Sequence, residues 1–306
     1  MPFGVWQCTV GFPVQFQGAG VHSNKPVHMA VLPAPVNHGI VFECLFADHL
    51  RMPVAPDSVR SLGGCTEIVK GEVAVRTIEH FLAACMAVGI DNALVKISAP
   101  ELPILDGSAW PFVLKLQEAK AQQNEGKPYY QLNHPIVVRH GNSYIEAKPS
   151  KALRINCEID FDHPWFMQYE HAKKMKIVFN EHVAQDVIRA RTFGFLNDLP
   201  SLLKQQLAQG ASLKNSIVFD EYEMLNPEGL RFEKELVAHK ILDLLGDLAV
   251  LGRPILADIN AFCPSHRLNI DLVNQLVLGD QLVSLTHQAD AKGKGQEKTE
   301  GAWAFE

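Results

Sequence analysis

Two hydrophobic rhythms alternate along the chain. Short apolar runs rich in β-branched residues, separated by turn signals, predict strands in the first third at Val14 to Gln17, Val27 to Val31, Gly39 to Glu43 and Ala93 to Ile97. One helix interrupts them, from Thr77 to Val88, with Ile78, Phe81, Leu82, Cys85 and Met86 on one side and Gly89 placed to stop it. The segment Ala121 to Lys127 is rich in Gln, Asn, Glu and Gly, has no apolar period, and reads as an inter-domain linker. Strands resume at Ile136 to Arg139, Ser143 to Glu146 and Leu153 to Ile159. A longer helix, Glu233 to Leu251, is closed by Gly252 and followed by the strand-like Pro254 to Phe262. The polar tail from Asp290 to Glu300 reads as disordered.

The order helix, glycine, strand thus occurs twice. His80 precedes Gly89 by nine residues, and Asp243 precedes Gly252 by nine. This predicts two α+β halves related by duplication, residues 1–126 and 127–288, followed by a tail over 289–306. The two helices then occupy comparable places and face each other across the boundary.

The second helix carries a pattern of its own. Leu236, Val237, Ile241, Leu242, Leu244, Leu245, Leu248 and Val250 surround it almost completely, which predicts burial. Yet His239, Asp243 and Asp247 recur at intervals of four and form one polar stripe. Two buried carboxylates beside a histidine call for a cation, a hydrogen-bond network or water access. A solvated stripe and a metal site are both open from this helix alone; His at i with Asp at i+4 suits Zn²⁺, which needs a third ligand from elsewhere. His80, directly after Glu79 on the first turn of the other helix, is the candidate, although locally it also reads as an ordinary helix-start histidine.

Composition narrows the setting. Hydrophobic residues make up 47% and charged residues 20% of 306, enough for substantial cores and unlike a disordered chain. A net charge of -6 supplies no general attraction to nucleic acid. No apolar run approaches the roughly 18 residues of a membrane span, and Met1 to Val10 lacks a leader pattern, so the expected location is the cytoplasm. The six cysteines form no C-x-x-C pair and read as small buried apolar residues, leaving the 13 histidines and the carboxylates as metal ligands.

Six motifs converge on a family. GAGVH (Gly18 to His22), TIEHFLAA (Thr77 to Ala84), DGSAWPFV (Asp106 to Val113), IDFDHP (Ile159 to Pro164), RARTFGF (Arg189 to Phe195) and GLRFEKELVAHKILDLLGD (Gly229 to Asp247) resemble, in order, the UDP-3-O-acyl-N-acetylglucosamine deacetylases of lipid A biosynthesis. The resemblance runs from about Gly18 to Leu276. It implies an α+β fold of two duplicated β-α-α-β sandwich domains with small inserts, and an active site at the inter-domain helices. It implies an enzyme, a metal-dependent amide hydrolase that releases acetate from a UDP-linked acyl-sugar. By resemblance His80, His239 and Asp243 are the metal ligands for one Zn²⁺ per chain, with Fe²⁺ the alternative ion. Glu79 corresponds to the general base, and Thr192 to a hydroxyl that helps hold the oxyanion. His266 corresponds to the residue that stabilises the tetrahedral intermediate and protonates the amine, oriented by Asp247. Lys240, Phe161, His22 and Phe193 correspond to substrate-binding positions: Lys240 faces the diphosphate, Phe161 the uracil. Arg189 and Arg191 read either as substrate ligands or as braces for acidic neighbours. The expected partner is the small-molecule substrate, with no nucleic acid and no transmembrane segment, and the expected state is a monomer.

The chain departs from the family pattern where substrate is recognised. The segment Lys-Ser-Gly-His-x-Leu-Asn is here Cys263, Pro264, Ser265, His266, Arg267, Leu268 and Asn269, and a second family lysine falls on Ser143. In Gly-Gly-Ser-Leu-Asp-Asn, Ala211 replaces a glycine and Lys214 the acid. Alternatives to the family reaction are therefore a paralogue acting on another N-acetylated sugar and an inactive metal-binding homologue. An intact Glu79 and His266 argue against the second, since a binding module needs no general base.

Overall fold

The protein is described by a computed structural model covering residues 4–179, 185–279, 281–289 and 295–299. In the first half a five-stranded sheet has the spatial order Val14–Ala19, Pro26–Pro33, Ala93–Ile97, Ile40–Cys44, Leu50–Pro53. Its central strand, Ala93–Ile97, runs antiparallel to Pro26–Pro33 and parallel to Ile40–Cys44. In the second half the same order and senses recur: Ile136–His140, Ser143–Pro149, Ile255–Phe262, Arg154–Glu158, Lys174–Val178, with Ile255–Phe262 antiparallel to Ser143–Pro149 and parallel to Arg154–Glu158. Pro128–Leu132, Leu282–Ala289 and Gly295–Thr299 extend this sheet to eight strands.

A parallel neighbour demands a crossover, and a helix supplies it in each half. The helices are α1 (Glu79–Val88), α2 (Trp110–Ala119), α3 (Pro164–Gln168), α4 (Gln185–Arg189), α5 (Leu199–Lys204), α6 (Glu235–Leu248) and α7 (His266–Leu278). Helices α1 and α6 each precede a central strand, and α2 and α7 follow one. Gly89 ends α1 in the left-handed region at φ 82°, and its N–H reaches the Cys85 carbonyl. Gly252, at φ 71°, does the same after the 3₁₀ turn Ala249–Leu251 that continues α6. The fold is thus α+β with a repeated five-strand, two-helix plan. The inserts are a three-stranded meander, Val59–Leu62, Cys65–Lys70 and Val73–Arg76, in the first half and the α3 to α5 region in the second.

Three expectations need correction. The expected linker, Ala121 to Lys127, falls almost wholly within the strand Lys120–Gly126, paired antiparallel with Trp6–Val10. An edge pairing is held by backbone hydrogen bonds and needs no apolar alternation, so composition concealed it. Part of the polar tail is likewise paired, Gly295–Thr299 against Leu282–Ala289, while 290–294 and 300–306 lie outside the described residues. The solvated-stripe reading of α6 also fails: every residue of α6 except Lys240 is buried.

The two crossover helices pack on each other at a glycine. A Cβ at Gly246 of α6 would stand 2.1 Å from the Glu79 carbonyl oxygen at the start of α1. Only a bare backbone admits that approach. Gly246, Asp243 and His239 lie three and four residues apart on one helical face, so the contact that brings in Glu79 also faces α1 with the polar stripe. Gly246→Ala is therefore expected to force the helices apart, lowering the melting temperature by about 2 °C or more, as overpacking does. A calorimetric melt matching the parent's would show that the helices do not need this closeness.

Candidate active site

The chain enters α1 through a left-handed residue. Thr77 sits at φ 59°, an unusual value for a β-branched side chain. Its hydroxyl donates to Glu101 Oε1 at 3.2 Å, and the same buried carboxylate accepts the backbone N–H groups of His22 (2.7 Å) and Ser23 (2.8 Å). Gly20 makes room, since a Cβ there would overlap Glu101 Oε2 at 2.0 Å. Glu101 therefore ties the GAGVH loop to the turn that aims Glu79 and His80 at α6.

His80, His239 and Asp243 present ligand atoms within 4.8 Å of one another, all buried. Asp243 Oδ1 lies 3.2 Å from His239 Nε2 and 3.8 Å from His80 Nε2. His239 Nδ1 donates to the Ala190 carbonyl at 3.1 Å, which leaves the lone pair on Nε2. Burial pushes the His80 imidazole down to about 3, helped by the neighbouring His239 and opposed by Asp243. It lowers His239 as well, again against Asp243. Burial alone would raise the Asp243 carboxyl, but His239, Lys240, His266 and His80 outweigh it and hold the group well below the usual carboxylate range. Two neutral imidazoles and one carboxylate oxygen thus point electron pairs at one spot. Asp243 Oδ1 has no hydrogen-bond donor among the described residues. A buried carboxylate oxygen without a donor is costly, and a divalent cation between these three atoms would remove the conflict. The donor set, two nitrogens and an oxygen, suits a divalent transition-metal ion.

The other expected residues surround this spot. Lys240 Nζ donates to Asp243 Oδ2 at 2.6 Å and stands 6.0 Å above the Phe193 ring. Burial works against its charge, yet Asp243 prevails and raises the ammonium pKa. Glu79 Oε2 accepts the Thr66 N–H at 3.0 Å, and Glu79 Oε1 lies 3.9 Å from His266 Nε2. Burial raises the Glu79 carboxyl to about 8, with His266 opposing and Asp247 and Asp243 assisting. Burial would lower His266, but Asp247, Asp243 and Glu79 together bring it up to about 9. His266 Nδ1 pairs with Asp247 Oδ2 at 2.9 Å, and its Nε2 is 3.9 Å from Asp243 Oδ2. All the site residues expected from sequence except Asp247 line one cavity of about 1470 Å³, which Ser143, Cys263 and Arg267 also line. Asp247 lies behind His266, completely buried. Phe161 packs edge-on against Phe193, with ring centroids 5.6 Å apart. His22 is buried, and its Nε2 has no partner among the described residues. Elsewhere the wall is leucine-rich: Leu196, Leu199, Leu202, Leu203 and Leu213.

Sequence reasoning missed Glu101, Thr66 and Asn269, whose amide donates to Asp247 Oδ2 at 2.8 Å. None lies on the stripe; Thr66 and Glu101 stand outside the motifs, and Asn269 closes the Cys263–Asn269 segment with no role assigned to it. Arg191 is a brace: its guanidinium is buried against Glu235 (2.8 Å) and Glu228 (2.8 Å) and does not line the cavity.

The sequence profile described as LpxC, UDP-3-O-acyl N-acetylglycosamine deacetylase, matches residues 7–278. The chain belongs to this family. A UDP-3-O-acyl-N-acetylglucosamine deacetylase of Shewanella oneidensis is 42% identical over 293 residues, which cover 94% of this chain and 95% of the relative. Proteins of the same name from Shewanella baltica and Shewanella denitrificans are 41% and 42% identical over 292 residues, with the same coverage. LpxC membership accounts for the collinear motifs and for a repeated fold with its polar residues where the halves meet. Among the described residues no helix is long and apolar enough to cross a membrane.

The convergence of three buried ligand atoms predicts about one divalent ion per chain by elemental analysis. His80→Ala and His239→Ala are each expected to lose most of it. Parental metal content in both variants would refute the site.

Proposed function

We propose that the protein hydrolyses the acetamide of UDP-3-O-acyl-N-acetylglucosamine to the free amine and acetate, the deacetylation of lipid A biosynthesis, using one Zn²⁺ per chain held by His80, His239 and Asp243. The observation that carries this reading is the unpartnered Asp243 Oδ1 between two neutral imidazoles, with Glu79 and His266 beside it in the same cavity. When bound, the ion supplies Lewis acidity for the amide carbonyl and for water.

The chain's own groups supply the proton transfers. A carboxyl brought near neutrality can both take a proton from water and give it back, so Glu79 Oε1 is the general base. Water's hydroxyl joins the acetyl carbon, the C–N bond breaks, and the proton carried by His266 Nε2 goes to the departing nitrogen. Asp247 keeps His266 charged and correctly turned through the Nδ1 contact. The Thr192 hydroxyl stabilises the oxyanion. Lys240 contributes positive charge toward the diphosphate, Phe161 and Phe193 an aromatic face for the base, and His22 a contact to the sugar. The leucine-rich wall suits an acyl chain.

This reading extends to the cytoplasm as location, a monomer as working state, and a division of the chain after residue 126. In support of that division, Lys120–Gly126 pairs within the first half and Pro128–Leu132 within the second sheet. A shifted nucleotide preference is the second reading, favoured by Ser143 and Cys263 lining the cavity where the family pattern has lysines.

Glu79→Ala should keep its metal and lose at least roughly two orders of magnitude in acetate release, the scale of general-base catalysis. His266→Ala should mainly lower kcat. Parental rates in either variant would remove that residue from the mechanism. Replacing Ser143 and Cys263 by lysine should tighten UDP-sugar binding to the Glu79→Ala protein, most clearly at low salt. Calorimetry that showed no gain would mean that Arg267 already fills the role or that the ligand differs.

A further inference from the structure

Thr66 lies in the strand Cys65–Lys70 and is completely buried, yet it touches three members of the catalytic set through two different groups. Its backbone N–H donates to Glu79 Oε2 at 3.0 Å. Its hydroxyl donates to Asp247 Oδ1 at 2.6 Å and lies 3.3 Å from His266 Nδ1. The hydroxyl has one hydrogen, and the short contact to a carboxylate with no hydrogen of its own claims it.

Each carboxylate is thereby left with a defined free edge. With Oδ1 taken by Thr66, the Asp247 carboxylate turns Oδ2 to His266 Nδ1 (2.9 Å) and to the Asn269 amide (2.8 Å). That pairing puts a hydrogen on His266 Nδ1 and points Nε2 at the reaction space. With Oε2 taken by the Thr66 N–H, Glu79 presents Oε1 to the same space, 3.9 Å from His266 Nε2. This gap is too long for a hydrogen bond and leaves room for a reacting atom between base and acid. One residue therefore sets both the rotation of Asp247 and the separation of Glu79 from His266.

We propose that Thr66 is a positioning residue for the deacetylation: its hydroxyl locks the Asp247–His266 pair while its backbone N–H fixes Glu79, so the general base and the general acid are held in one register. The proposal rests on the function assigned above, and the test separates the two. Thr66→Val keeps shape and backbone N–H and removes only the hydroxyl donor; Thr66→Ser restores that donor. In Thr66→Val, kcat should fall roughly 10- to 100-fold, the scale of a small misplacement of reacting groups. KM and metal content should stay close to parental, because Thr66 is completely buried and does not line the cavity. Thr66→Ser should recover most of the rate, which a loss of folding or packing would not allow. Independently of turnover, the downfield Nδ1 proton of His266, assigned by its loss in His266→Gln, should be visible by NMR in the parent and in Thr66→Ser and broadened by exchange in Thr66→Val.

A parental kcat in Thr66→Val, an equal loss in Thr66→Ser, or a loss confined to KM would overturn the proposal. If the parent releases no acetate from the UDP-sugar, the assigned function fails, and the NMR comparison then decides the positioning claim: an unchanged signal in Thr66→Val rejects it. If Thr66→Val does not fold, Thr66→Ala paired with Thr66→Ser decides by the same two readouts.

Discussion

The close approach of the two crossover helices, Gly246 against the Glu79 carbonyl, governs the polar group built around it. Two helices from different halves of the chain, each buried, meet where one begins and the other presents its single polar stripe. The first turn of α1 contributes Glu79 and His80, and α6 contributes His239, Asp243 and Asp247. Neither half could assemble the group alone. The glycines and strands that end and orient the two helices matter because they place this crossing.

Burial makes the crossing chemically demanding. Three carboxylates, Glu79, Asp243 and Asp247, lie within the protein beside two cationic groups among the described residues, Lys240 and His266. Each has a separate solution. Asp247 is saturated by Thr66, His266 and Asn269. Asp243 is shared between Lys240 and the spot where the imidazole lone pairs converge. Glu79 keeps one oxygen bonded to a backbone N–H and relieves its remaining conflict by a raised proton affinity. The same desolvation that would destabilise a plain core is what raises the Glu79 carboxyl to about 8.

The repeated helix, glycine, strand order was legible because burial imposes periodicity and helix ends impose glycine. The stripe on α6 was legible for a related reason: polar residues at intervals of four stand out in an otherwise apolar helix. Backbone-driven features were not. Lys120–Gly126 pairs through its main chain, and its side chains say only that it is polar. Helices α2 and α7 begin inside motif segments, at Trp110 and His266, where the motif residues mask their apolar spacing. Thr66 and Glu101 act across long sequence separations, on partners such as Asp247 and His22 that no local pattern connects. Motif resemblance brought distant residues into one set and implied different roles for Glu79 and Asp247. The packing adds their placement: Asp247 is withdrawn behind His266 and Glu79 lines the cavity.

A site whose ligands come from both halves couples chemistry to cohesion. An ion held by His80 on α1 and by His239 and Asp243 on α6 would bridge the crossing that Gly246 permits, and its binding free energy would then also resist separation of the halves. Glu101 adds a restraint from the opposite side. By accepting from His22, Ser23 and Thr77, it fixes the cavity wall at the Gly-rich loop to the turn that launches α1. The strained left-handed turn at Thr77 is thereby held by a buried carboxylate, and the direction of α1 does not depend on the ion alone. Two positions in the cavity wall carry no such double duty. Ser143 and Cys263 line the cavity without entering the Glu101 or Asp247 networks, so substitutions there can alter recognition while the catalytic register is kept.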